Sequence, residues 1–238
     1  MLQAPGSSLL PARPASSSSD LFERTAWLYA FLREHVFRDD TDLIDAVLWS
    51  DDRPASGTIL LEVGCGPGVY ARRLAARHSA LHAVGIDASS ALLQRARTRA
   101  AQAGLSNCHF EQGDALHLDW ADASVDAVVV SRLFTVADGA RVLSEAFRVL
   151  RPGGRCFVAE PASVLDSVWP MAALRIAHWF SSADQDAAAS GSAPRWPWPL
   201  SADQFSALIR TQAWSSYESV RAGGYHLALC VKSAWGHA

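Results

Sequence analysis

Apolar residues recur at helical spacing from Leu21 onward, with Leu21, Phe22, Trp27, Leu28, Phe31 and Leu32 following Asp20 as a candidate N-cap. The spacing predicts two short helices, over about 21–36 and 41–49. A polar break from Ser50 to Gly57, containing Pro54, leads into Thr58-Ile59-Leu60-Leu61-Glu62-Val63, an apolar run that ends at a glycine. Such a run reads as a buried strand. The pattern then alternates: a helix at 68–78, strand 81–86, helix 89–103, strands 108–111 and 125–130, helix 138–150 and strand 154–159. That alternation predicts a parallel sheet with helices on both faces. Beyond Glu160 come a predicted helix at 163–180, a Ser/Ala/Pro-rich loop from Ser181 to Pro199 and a helix at 201–213. Strands at 215–221 and 225–232 follow, with Gly223-Gly224 suited to the turn of a hairpin.

Composition narrows the class of protein. Half of the 238 residues are hydrophobic and 19% are charged, enough for a core that needs neither disulfides nor a structural metal. Cys65, Cys108, Cys156 and Cys230 form no CxxC pair and His78, His82, His109 and His117 show no ligand spacing, so no metal is expected and a reduced, cytoplasmic setting fits. A net charge of −3 offers no field for phosphate backbones, so nucleic acid is not an expected partner. Arg72, Arg73, Arg77, Arg95, Arg97 and Arg99 read as solvated helix faces. No apolar run approaches the ~18 residues of a membrane span. Residues 1–20 lack the basic start and apolar centre of a secretory signal and read as a disordered tail.

The most informative stretch is Leu61-Glu62-Val63-Gly64-Cys65-Gly66-Pro67-Gly68, which follows the strand and opens a helix. Backbone without side chains there lets a ligand lie close to the main chain, favouring a nucleotide-like molecule. Cys65 fits as a small residue within the loop. Gly66-Pro67-Gly68-Val69-Tyr70-Ala71 also matches a loose dinucleotide fingerprint, so a nicotinamide-dependent oxidoreductase is one reading. Glu62 argues the other way: a carboxylate beside the loop repels a pyrophosphate but attracts, directly or through water, the ammonium of a methionine-like group.

On these residues the chain resembles the class I S-adenosylmethionine-dependent methyltransferases, whose first motif is an acidic residue followed by GxGxG, matched by Glu62, Gly64, Gly66 and Gly68. Val84-Gly85-Ile86-Asp87-Ala88-Ser89 is similar to the family's second strand, which implies that Asp87 takes both ribose hydroxyls, with Ala88 beside it. Gln112-Gly113-Asp114-Ala115 resembles the third motif, implying that Asp114 meets the adenine amino group and that the Ala115 backbone lines the ring. Val125 to Ser131 and the Arg148-Val149-Leu150-Arg151-Pro152-Gly153-Gly154 turn resemble the fourth strand and the entry to the fifth; Asp126 reads as structural. The turn looks most like the small-molecule branch that includes the ubiquinone and menaquinone C-methyltransferases.

The resemblance implies a single Rossmann-like α/β domain with a seven-stranded, mostly parallel sheet whose last strand is reversed. It divides residues 21–238 into a helical cap (21–57), an S-adenosylmethionine-binding core (58–160), a substrate lid (161–199) and a terminal helix with hairpin (200–238). The implied activity is in-line methyl transfer to an O, N or C atom of a small organic acceptor. Ligands in such sheets sit at the carboxyl ends of the strands, so Ser131, Arg132, Phe134 and Glu160 are candidates for the acceptor side, with Tyr29 covering the pocket. His178 and Trp198 in the lid are further candidates. A non-catalytic binding module on the same fold is the remaining alternative.

Overall fold

The computed structural model describes residues 17–49, 53–134, 137–162 and 199–234. In chain order the elements are α1 (Ser17–His35), α2 (Thr41–Trp49), β1 (Ile59–Val63), α3 (Val69–Arg77), β2 (His82–Asp87), α4 (Ser90–Gln102) and β3 (Cys108–Gln112). They continue with β4 (Val125–Ser131), α5 (Gly139–Val149), β5 (Leu150–Pro161), α6 (Ala202–Ile209), β6 (Trp214–Ala222) and β7 (Tyr225–Lys232). The strands form one sheet in the order β3-β2-β1-β4-β5-β7-β6. β7 alone runs against its neighbours, pairing antiparallel with both β5 and β6. The expected seven-stranded, mostly parallel sheet with a reversed last strand is therefore present.

Side chains alternate across a strand, and the mostly apolar runs of β1 and β4, interrupted by Glu62 and Asp126, feed two cores. Leu60, Ala83, Phe110, Val129 and Phe157 face α2, α3 and α4. Leu61, Val84, Val128, Val130 and Val158 face α5 and α6. Burial on both faces is why these strands read as near-continuous apolar segments.

The structure corrects several expectations. Helix α1 begins at Ser17, so Asp20 lies inside it and is not its N-cap. Trp27 and Phe31 do not face inward: Trp27 is 55% and Phe31 50% exposed, whereas Ala26, Ala30 and Arg33 are buried. Small residues at i and i+4, Ala26 and Ala30, let α1 lie close on Leu92 of α4. Helix α6 stops at Ile209, where the Trp214 indole donates to the Ile209 carbonyl at 3.0 Å and the chain enters β6. Strand β5 starts at Leu150 and absorbs the Pro152-Gly153-Gly154 turn as a bulge, with Val125 opposite Leu150 and Ala127 opposite Arg155. Gly153 takes φ +80° there. Asp126 is structural, accepting from Ile59 N at 2.8 Å and pairing with Arg151 at 2.6 Å. The predicted helix at 163–180 and most of the loop to Pro199 lie outside the described residues.

The arginines of α3 and α4 are only partly a solvated face: Arg77, Arg95 and Arg97 are exposed, whereas Arg72, Arg73 and Arg99 are half-buried. Arg72, Arg73 and Arg99 converge on Glu34 of α1, Arg77 pairs with Asp42 and Asp45 of α2, and Arg97 donates to the Phe110 carbonyl at 2.7 Å. An exposed pair of this kind contributes about 0.2–1 kcal/mol, but three cations on one half-buried carboxylate fix how α1 lies over the sheet.

Lys232, the single lysine, donates through Nζ to the carbonyls of Phe147 and Leu150, each at 2.7 Å, and lies over the Phe147 ring. It thus closes the carboxyl end of α5, where a cation is favoured. Lys232→Met should cost about 1–2 kcal/mol and lower the melting temperature by roughly 2–6 °C; a scanning-calorimetry midpoint within 1 °C of the parent would contradict this capping role.

Candidate functional site

The carboxyl ends of β1, β2 and β4 meet beneath α1. The loop after β1 takes positive φ at Gly64, Gly66 and Gly68 (+68°, +53° and +69°), a backbone region costly for any residue with a Cβ. The three glycines serve different ends. A Cβ on Gly64 would lie 2.8 Å from Leu133 in the loop after β4, and one on Gly66 would lie 3.3 Å from the Tyr29 ring of α1. Gly68 instead faces Phe110 and Ala96 in the core, so its identity is demanded by packing of α3 on the sheet.

Asp87, at the end of β2, ties this loop to the next one. Its Oδ2 accepts from Gly66 N at 2.7 Å and its Oδ1 from Ser89 N at 2.9 Å. Cys65 N donates to the Ile86 carbonyl at 2.9 Å, closing the same junction. Ser89 caps α4 through Leu92 N. Further along the edge, Gly113 N donates to the Asp87 carbonyl at 3.1 Å and the Gln112 amide to the Ala88 carbonyl at 3.0 Å. Asp114 is exposed and accepts from Leu116 N at 2.8 Å, with Ala115 half-buried beside it. The edge from Gly66 through Asp87 and Ala88 to Asp114 and Ala115 is thus one continuous ledge.

Glu62 is 4% exposed and its Oε2 accepts from Ala71 N at 2.8 Å. Gly68, the N-cap of α3, has no side chain to offer, so the carboxyl from β1 satisfies the helix end instead. Burial pushes Glu62 up to about 7, against the lowering pull of the Ala71 N–H, Arg33 and Arg72. Burial likewise raises the Cys65 thiol well above its usual range, which leaves it no nucleophilic character at neutral pH.

Arg33, which sequence reasoning missed, is 6% exposed and lies 4.4 Å over the Tyr70 ring. Its Nη1 and Nη2 have no hydrogen-bond partner. Burial opposes its charge, but Tyr70, Tyr29 and Glu62 outweigh that and hold the guanidinium ionised. The one sequence signal was its place on the Ala26-Ala30-Arg33 face. Tyr29 feels the charges of Arg33, Arg132, Asp87 and Glu62, which places it where the two halves of the site meet.

After β4, Ser131 neighbours Tyr70 and Arg132 takes φ +56°. Glu160, 2% exposed at the end of β5, accepts through Oε1 from Leu133 N at 2.7 Å and Phe134 N at 3.1 Å. Burial pushes it up to about 7 against those amides and Arg132. Phe134 is buried with the α5-side core and faces no ligand from there. His178 and Trp198 lie outside the described residues. Among the described residues no group of three or more His, Cys, Asp or Glu could hold a metal ion, and no helix is long and apolar enough to cross a membrane.

Comparison with known proteins agrees with this geometry. The family model described as "Methyltransferase domain" matches residues 54–194. The chain belongs to that family. It is 42% identical over 110 residues to the demethylmenaquinone methyltransferase of Deinococcus radiodurans, covering 44% of this chain and 45% of the relative. It is 39% identical over 102 residues to the 27-O-demethylrifamycin SV methyltransferase of Amycolatopsis mediterranei, covering 42% and 37%. The chain thus spans under half the length of these curated relatives. Among solved structures, a putative S-adenosyl-L-methionine-dependent methyltransferase from Methanococcus maripaludis matches with TM-score 0.65 and 17% identity over 98% of this chain and all of that one. The [4+2]-cyclase SpnF matches with TM-score 0.66 and 18% identity over 91% and 95%. These structural likenesses show the methyltransferase fold, and the cyclase shows that the fold hosts more than one chemistry.

The two buried carboxyls generate a prediction. Each has a folded pKa near 7 against an ordinary value of 4.5, so the folded state binds more protons than the unfolded chain between those values. Stability from this source is fully present below about 4.5 and is lost as pH rises through about 7. Glu160→Gln keeps an acceptor for Leu133 and Phe134 and removes the ionisation. Its melting temperature should fall less than the parent's between pH 4.5 and 7; parallel curves would show that Glu160 does not titrate in that window.

Proposed function

We propose that the chain is a methyltransferase that binds S-adenosylmethionine across the carboxyl ends of β1, β2 and β3 and delivers the methyl group to a small organic acceptor over β4 and β5. The observation that carries this reading is the Gly66–Asp87 junction: a loop with glycine at every second position, held by a carboxylate that also accepts from Ser89 N at the start of α4. The names of the quinone and rifamycin relatives support a small-molecule acceptor.

The residues fit the donor piece by piece. Asp87 receives the two ribose hydroxyls, whose spacing matches a carboxylate, and Ala88, Asp114 and Ala115 extend the ledge toward adenine. The methionine end then runs from Gly64 and Gly66 toward α1, where Arg33 presents two unpartnered Nη groups. A buried donor left unsatisfied costs about 1–3 kcal/mol or more when charged; the donor's carboxylate offsets that cost. Glu62, bound to Ala71 N, supports the loop from below and adds negative potential for the ammonium. S-adenosylmethionine supplies an electrophilic methyl group on a sulfonium. The chain's own part is alignment and exclusion of water, for which Tyr29 covers the loop. A cytoplasmic location accords with this reading.

A nicotinamide dinucleotide fits less well. Its pyrophosphate would lie over the buried Glu62 and the Asp87 carboxylate without a cation from the loop itself.

Asp87→Ala should weaken S-adenosylhomocysteine binding by about 2 kcal/mol or more, roughly thirtyfold, as read by titration calorimetry; unchanged affinity would remove Asp87 from the donor site. Arg33→Met should abolish the preference for S-adenosylmethionine over its decarboxylated analogue, and a preference that survives would place the carboxylate elsewhere. Gly66→Val, which puts a branched side chain at φ +53° and against Tyr29, should bind neither nucleotide while keeping the far-ultraviolet dichroism of the parent; normal binding would show that the loop is not the donor's cradle.

A further inference from the structure

Arg132 carries three unusual features at once, at the one strand end where the acceptor must approach. Its backbone sits at φ +56°, a conformation that a residue with a long side chain keeps only when its surroundings enforce it. Enforcement is visible: Arg132 N donates to the Ala159 carbonyl at 2.9 Å. Nε donates at 2.9 Å to the Tyr225 hydroxyl, which also accepts from Nη2. The guanidinium carbon also lies 4.6 Å from the centroid of the Phe37 ring and 4.8 Å from that of Tyr225. One edge is therefore occupied by the Tyr225 hydroxyl, yet Nη1 is buried without a hydrogen-bond partner.

Among the described residues no carboxylate forms an ion pair with it, although the charge of Arg132 acts on Glu160. Glu160 is the nearest carboxyl by topology, but its Oε1 is engaged by Leu133 N and Phe134 N, and no ion pair joins it to Arg132 among the described residues. Tyr29, Tyr70 and Tyr225 are phenols, and burial holds the first two above their ordinary values. Arg33, with its own unpartnered Nη groups, shares Tyr29 and Tyr70 with Arg132 as neighbours. Arg33 lies over Tyr70 of α3 and close enough to Glu62 of β1 to feel its charge, whereas Arg132 follows β4, the next strand in the sheet. With Arg33 met by the carboxylate of S-adenosylmethionine, the sulfonium and the buried Arg132 guanidinium together call for negative charge from whatever enters last.

We infer that Arg132 Nη1 receives an ionised oxygen of the methyl acceptor, so that the substrate class is an acidic oxygen compound such as a phenol or enol, bound as its anion. The inference rests on the donor reading above. When that oxygen takes the methyl group, its lone pair forms the new O–C bond and the C–S electron pair stays on sulfur. The negative and positive charges cancel, and no proton remains to be moved. The neutral product loses its ionic contact with Arg132, which favours its release over that of a second anionic acceptor.

The test uses the purified chain saturated with S-adenosylhomocysteine and 4-nitrophenol as the probe, read by the visible absorbance of its phenolate. Bound to the parent protein, the probe should ionise about tenfold more readily than free in the same buffer, as expected beside a buried cation. In Arg132→Met that shift should vanish and the probe's affinity should fall at least tenfold, while Arg132→Lys keeps part of both. 4-Nitroanisole, which cannot ionise, should not displace the probe. A merely structural Arg132 would lower the melting temperature without moving the probe's ionisation. Should the Met variant not fold, Arg132→Gln, which keeps an N–H donor for Tyr225 but no charge, carries the same comparison. Equal ionisation shifts in charged and uncharged variants, or no saturable probe binding to the parent, would overturn the inference. S-adenosylhomocysteine affinity, measured first, separates the two readings: its absence defeats the donor assignment, whereas its persistence in every variant with an Arg132-independent probe defeats only this inference.

Discussion

The carboxylate of Asp87 joins two loops that sequence separates by about twenty residues. By accepting from Gly66 N and Ser89 N it sets the loop after β1 against the start of α4, and every other feature of the site is placed relative to that junction. Gly66 lies under Tyr29 because α1 rests on α4 through Ala26 and Ala30. Glu34, bound by arginines of α3 and α4, keeps α1 there. The same helix carries Arg33 over Tyr70 and Glu62. Charge-assisted bonds to backbone amides are short and directional, so a single carboxylate fixes both the path of the loop and the floor of the pocket.

Burying charge is otherwise unfavourable, and the pattern of buried charge separates structural groups from those that face a ligand. Glu62 and Glu160 have backbone donors and complete the ends of their own elements. Arg33 and Arg132 do not have all their donors met. A fold that needed them only for packing would lose little by exchanging them for uncharged residues. Their orphaned nitrogens mark where the protein expects negative charge from outside the chain.

Much of this was legible in the chain itself. The apolar run into Gly64, the acid at Glu62, and Asp87 closing a second strand are local patterns, and local patterns survive into the fold because backbone geometry alone dictates them. What escaped depends on packing between distant segments. The periodicity of α1 pointed to Trp27 and Phe31 as its inner face, yet close approach to α4 selected alanines and turned Arg33 inward. The arginines of α3 read as a surface because their partners, Glu34, Asp39, Asp42 and Asp45, precede them by some thirty residues, and Arg99 of α4 lies further still from Glu34. The bulge at Pro152-Gly153-Gly154 joined what looked like a turn to the strand after it, since β4 offers a pairing edge on both sides of it. The sequence also could not distinguish Gly68, set by Phe110 in the core, from Gly66, which lies under the Tyr29 ring.

The central claim is that the ledge from Gly66 through Asp87 to Asp114 is built for the nucleoside of S-adenosylmethionine and not for a dinucleotide. Titration calorimetry of the wild-type chain with S-adenosylhomocysteine and, separately, with NADH tests it most directly. The account predicts saturable one-to-one binding of S-adenosylhomocysteine and no measurable heat from NADH at the same concentrations. Saturable binding of NADH, with S-adenosylhomocysteine failing to displace it, would contradict the account.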